Sequence, residues 1–98
     1  VIRFEFHSIA RSDVSRIMDY YEDAGGQELA DEFYEELWSC INKAVDSPEG
    51  YAIRERDIRR VNLERFPFHF LYRIVDDRVR ILVVRHHRRR PSLGMQRR

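Results

Sequence analysis

The residues best suited to chemistry stand together near the end of the chain, in the run His86-His87-Arg88-Arg89-Arg90. Imidazole exchanges a proton near neutral pH, so His86 or His87 suits the role of general base or acid. Guanidinium groups make forked bonds to carboxylate or phosphate. Arg59, Arg60, Arg65 and Arg73 add cations to the same last third of the sequence. Two chemistries fit this set. One is the capture of an acidic or polyanionic partner by Arg59, Arg60, Arg65, Arg73, His87, Arg88, Arg89 and Arg90. The other is proton transfer by His86 or His87 beside a phosphate held by Arg59, Arg60 and Arg73.

The charge balance supports an acidic partner. Residues 1–57 carry 14 acids and 6 bases, whereas residues 58–98 carry 3 acids and 12 bases, and no acid follows Asp77. The overall balance is only +1, and Lys43 is the sole lysine. A basic, arginine-dominated half attracts nucleic acid or an acidic peptide. A plainer reading stays open: Arg59, Arg60 and Arg65 could pair with the protein's own helix acids, and Arg88-Arg89-Arg90 could be a solvated strand end. The one cysteine, Cys40, excludes an internal disulfide and offers no metal-ligand spacing. It reads as a small core residue. No metal and no cofactor is expected. No apolar run approaches the ~20 residues of a membrane span, and no secretory leader is visible, so the expected compartment is the cytoplasm.

These side chains need elements to position them. Val1–His7 alternates, with Ile2, Phe4 and Phe6 on one side, as in a half-buried strand. Ser8 stands where a helix N-cap belongs. Ala10, Val14, Ile17, Met18 and Tyr21 then trace one helical face, with Asp13 and Arg16 assigned to the opposite side. Gly25-Gly26 predicts a break. A second helix is expected over about Gln27–Asp46, buried through Leu29, Phe33, Leu37, Cys40 or Ile41, and Ala44. Tyr51–Asp57 reads as a loop. Three strands follow, at about Ile58–Arg65, Phe68–Val75 and Val79–His86, with a turn at Asp76-Asp77. The last strand is apolar on both faces through Ile81-Leu82-Val83-Val84, so its inward side is not fixed by pattern. The expected fold is α+β, in the order β-α-α-β-β-β. A helical hairpin packs on one face of a small, mostly antiparallel four-stranded sheet. Residues 1–90 form the expected single domain, and residues 91–98 a flexible basic tail.

The ordered set of short motifs resembles the RelE/ParE superfamily of toxins from bacterial type II toxin–antitoxin systems, and within it the ParE-like branch. Tyr20-Tyr21-Glu22 matches that branch's YYE signature. Asp31-Glu32-Phe33 through Leu37 resembles its second helix. Ile58-Arg59-Arg60 with Arg65-Phe66-Pro67-Phe68, then Tyr72-Arg73-Ile74, Val79-Arg80-Ile81-Leu82-Val83-Val84 and His87-Arg88-Arg89-Arg90-Pro91 complete the likeness.

The resemblance implies a small cytoplasmic toxin held inactive by a cognate antitoxin, whose acidic C-terminal segment wraps it as helix and strand. ParE-like members are associated with inhibition of DNA gyrase. RelE-like members are ribosome-dependent mRNA endoribonucleases, which is the alternative reading. Departures from the nuclease pattern favour the ParE-like reading. Arg88 stands where nucleases often carry tyrosine after the histidine. His69 replaces an arginine early in the central strand, and the loop at Tyr51–Asp57 offers only Arg54 and Arg56 as cations.

Overall fold

The computed structural model describes residues 3–88. Its elements are β1 (Phe4–Phe6), α1 (Ser8–Asp46), β2 (Ile53–Glu55), β3 (Ile58–Asn62), β4 (Phe68–Val75) and β5 (Arg78–His86). The strands form one sheet in the order β1-β5-β4-β3-β2. β1 lies parallel to β5, with Phe4 opposite Val79 and Phe6 opposite Ile81. The other pairings are antiparallel. Ile2, Arg89, Arg90 and the expected tail at 91–98 fall outside the described residues.

Three parts of the expected architecture are corrected. First, one helical element, Ser8–Asp46, replaces the helical hairpin with its Gly-Gly loop. Gly26 alone leaves helical geometry, at φ 83 and ψ 178, a region open essentially to glycine. A straight helix of this length would reach about 58 Å, but the longest dimension of the molecule is 37 Å. The kink at Gly26 accounts for the difference. It sets the rings of Tyr21 and Phe33 5.5 Å apart over the same core.

Second, the sheet has five strands, not four. The segment read as a loop contains β2, whose Ile53, Arg54 and Glu55 are all exposed. No alternation betrays such a strand. It forms because Arg56 turns the chain at φ 56 and returns it beside β3. Third, the sheet is mixed: β1 lies parallel beside the last strand, while the other three pairings are antiparallel. β3 also ends at Asn62, before Pro67, and not at Arg65.

Smaller expectations shift for local reasons. His7 rather than Ser8 caps α1, its Nδ1 accepting the Ile9 N–H at 3.1 Å. Asp13 faces inward, only 3% exposed, and its carboxylate accepts the backbone N–H of Val84 at 3.2 Å. That bond ties the first turns of the helix to β5.

One core lies between α1 and the sheet, built on Phe33, Leu37, Ile41, Phe70, Tyr72, Ile81 and Val84. Ile58, Leu71, Leu82 and Val83 form a second, smaller cluster. Pairing slips between Leu71 and Tyr72: Leu71 faces Val83 and Tyr72 faces Ile81, so Leu82 is an extra residue. This bulge reverses the alternation of β5. Val79 and Ile81 point to the helix before it, and Val84 after it.

Candidate functional site

The bulge sets the site. Beyond it, Arg85 pairs across the strands with His69, and Asn62 of β3 pairs with His69 from the other side. Since Phe68, Phe70 and Val84 face the helix, His69 and Arg85 face away from it. His87 follows just past β5, anchored by its N–H to the Pro67 carbonyl at 3.0 Å.

Five side chains form a chain of hydrogen bonds here. Arg85 Nε donates to His69 Nε2 at 2.8 Å. His69 Nδ1 lies 2.9 Å from His87 Nδ1. Arg60 Nη2 stands 3.4 Å from that same His87 nitrogen, and Arg60 Nε donates to Asn62 Oδ1 at 2.7 Å. The two imidazole rings are 9° from parallel with centroids 5.1 Å apart. A bond between facing ring nitrogens sets that spacing, so the rings meet edge to edge rather than face to face.

Charge fixes the protons. His69 is only 1% exposed. Burial, then the charges of Arg60 and Arg85, pushes its pKa down to about 3. His87 is also shifted down, by desolvation and then by Arg60. Both rings are therefore neutral at pH 7. Because Arg85 donates to His69 Nε2, the His69 proton sits on Nδ1 and is given to His87 Nδ1. The remaining proton of His87 is on Nε2. Each imidazole lone pair is already engaged.

The expected binding residues divide into groups. Arg59 points to the helix side and donates to the Glu49 and Tyr51 carbonyls, its Nε buried without a partner. Arg65 pairs with Glu32 at 3.3 Å, and its backbone N–H reaches Glu36. Arg73 holds Asp57 through Nε and Nη2, the shorter bond being 2.7 Å. These three serve the fold. Arg60 and His87 meet on the open face, where Arg60 has no carboxylate partner among the described residues. His86 and Arg88 lie at the other side of the sheet, beside Tyr20 and Arg16. Arg89 and Arg90 fall outside the described residues.

Sequence reasoning missed Arg85 and Asn62 as members of the site, and treated His69 only as a departure. Cross-strand register brings them together, and the unreadable bulge decides it. No group of His, Cys, Asp or Glu suited to a metal occurs among the described residues. No helix among them is long and apolar enough to cross a membrane.

Comparison with known proteins accords with this architecture. The family described as "ParE toxin of type II toxin-antitoxin system, parDE" matches residues 4–91. This chain belongs to the ParE toxin family. It is 26% identical over 91 residues to Toxin ParE2 of two Mycobacterium tuberculosis strains, CDC 1551 / Oshkosh and ATCC 25618 / H37Rv. The match covers 92% of this chain and 86% of those relatives. A solved structure from the chromosomal ParDE toxin–antitoxin system of P. aeruginosa shares the fold. Its TM-score is 0.76 and its identity 22%, over 87% of this chain and 95% of that one. The resemblance read from the motifs of this ParE-like toxin is thereby shown at the level of family.

Proposed function

We propose that this ParE-like toxin inhibits growth by binding DNA gyrase in the cytoplasm through its open, cationic sheet face. A cognate antitoxin with an acidic C-terminal segment neutralises it. The observation that carries a binding role is the closed hydrogen-bond chain of Arg85, His69 and His87. Cleavage of RNA would need a base with a free lone pair beside the 2′-hydroxyl. His69 and His87 have theirs engaged, and both resist protonation. Tyr72, the tyrosine within a strand, lies on the helix-covered face. Its hydroxyl is bound to the Pro48 carbonyl at 2.6 Å and its pKa is pushed up to about 12 by burial. The surface is rich in fixed donors and poor in proton acceptors, which suits the grip of an anionic partner.

A small reading frame with an acidic, amphipathic tail is expected beside the gene and would supply the antitoxin to test. The purified toxin should block gyrase supercoiling in vitro, and Arg60→Glu should relieve the block while leaving the chain folded. Ribosome-dependent message cuts, mapped by primer extension and abolished in His87→Ala, would sink the binding reading in favour of the endoribonuclease one.

A further inference from the structure

An open pocket of ≈ 580 Å³ lies on the helix side of the sheet, across β5 from the His69–His87 cluster. Its size falls within the ~300–1,000 Å³ typical of ligand sites. Ile17, Tyr21, Phe68 and Val84 give it an apolar lining that is continuous with the core. Arg16, Arg85, His86 and Arg88 also line it, and no acid does.

Three features stand unexplained by folding. Tyr20 is 64% exposed, the most exposed of the large hydrophobic side chains among the described residues, and its ring packs edge-on against Tyr21 at 5.3 Å. Arg16 commits one amino group to Asp13 at 3.0 Å but leaves 62% of its side chain in solvent. The Arg88 N–H occupies His86 Nδ1 at 3.0 Å, so the ring's proton sits on Nε2, which is a donor there. The ring is braced by Phe68, with centroids 5.2 Å apart. A greasy recess with an exposed tyrosine and nearby donors is built for a side chain that is apolar at its body and has an anion beside it.

We infer that this pocket is a second docking site, taking a peptide segment of a partner protein in which an aromatic residue is flanked by carboxylates. The aromatic ring fills the recess between Tyr20 and Phe68. The carboxylates meet Arg16, Arg88 and His86 Nε2–H. This site lies on the helix side of the sheet, opposite the Arg60–His87 surface, and meets the hydrogen-bond chain of that surface only through Arg85. It goes beyond the gyrase reading, because the pocket would bind its peptide whichever target the toxin has.

The test is a titration of the isotopically labelled full chain, followed by two-dimensional NMR. The probes are the blocked tripeptides Glu-Trp-Glu, Gln-Trp-Gln and Glu-Ala-Glu, the free acid indole-3-acetate, and hexathymidylate. Glu-Trp-Glu should shift the resonances of Tyr20, His86 and Arg88 and bind about tenfold more tightly than Gln-Trp-Gln, as two exposed ion pairs allow. Glu-Ala-Glu should bind far more weakly. Tyr20→Ala and Arg88→Glu, both surface changes that spare the core, should each weaken Glu-Trp-Glu binding. Four results would overturn the inference. They are no binding, equal binding of the Gln peptide, shifts centred on Arg60 and His87, and indole-3-acetate or hexathymidylate occupying the pocket as tightly as the acidic peptide.

Discussion

On its helix-covered face the sheet presents Phe70, Tyr72, Ile81 and Val84 to Phe33 and Leu37, and the arginine on that side, Arg59, ends on backbone carbonyls. On the opposite face Arg60 ends on an amide and an imidazole, and His69 is held neutral between a guanidinium and a second imidazole. Arginine is common to both faces, but its partners differ. Where the partner is a carbonyl or an acid of the same chain, as for Arg59, Arg65 and Arg73, the cation staples the fold. Where the partners are neutral donors and acceptors, the charge is left for something else. High arginine content therefore says little about binding until each guanidinium is traced to what it holds.

The contrast predicts that stability resides in the covered face and recognition in the open one. Phe33→Ala should show the largest effect. Emptying a ring-sized hole in the core should cost about 3–5 kcal/mol, a large part of the ~5–15 kcal/mol available to a domain. Urea denaturation would read it, and a loss below 1 kcal/mol would mean the core has been misplaced. Next is Gly26→Ala, which forces a side chain into φ 83, ψ 178. A loss of about 1–3 kcal/mol is expected, visible as a lowered Tm.

Acid should weaken the open face through His69. The unfolded chain takes up its proton near pH 6.5, whereas the folded one waits until about 3. Between those values the unfolded state binds more protons, so stability is full above pH 6.5 and falls as pH drops through that window. Comparing unfolding at several pH values in His69→Gln should show a shallower acid slope than in the parent. An unchanged slope would place the sensitivity elsewhere.

A modest gain is expected at the β4–β5 turn, where Asp76 and Asp77 both hold positive φ, 52 and 63. Asn-Gly suits that geometry better, and Asp76→Asn with Asp77→Gly should raise stability by about 0.5–1 kcal/mol. Smallest of all should be Arg60→Ala, within about 0.5 kcal/mol in thermal unfolding, although gyrase inhibition falls. A large stability loss there would erase the distinction between the two faces.

Much of the covered face was legible. The helical stripe of Phe33, Leu37, Ile41 and Ala44 and the alternation of Phe68, Phe70 and Tyr72 each follow from period alone, and all are buried. The turn at Asp76-Asp77 was found despite lacking glycine. What was hidden depends on distant pairing. β2 has three exposed residues and exists only by its bonds to β3. The place of β1 rests on a partner at the far end of the chain. Asp13 looked like a surface acid because its reason for burial, the Val84 N–H, lies on another element. The site suffered most. Arg60 and His87 were named, but Arg85 was passed over, and His86 was grouped with its neighbour although the two occupy opposite sides of the sheet.

The extra residue at Leu82 has a consequence for how such a chain can change. Its loss would close the pairing into unbroken alternation, with Val83 still opposite Leu71 and with His86 and His87 on the faces they hold now. One residue gained between Val83 and His86, with no second bulge to absorb it, would instead exchange the faces, sending His86 outward to Arg60 and His87 inward to Tyr20. The last strand can therefore shorten by one without disturbing either surface, whereas lengthening by one scrambles both.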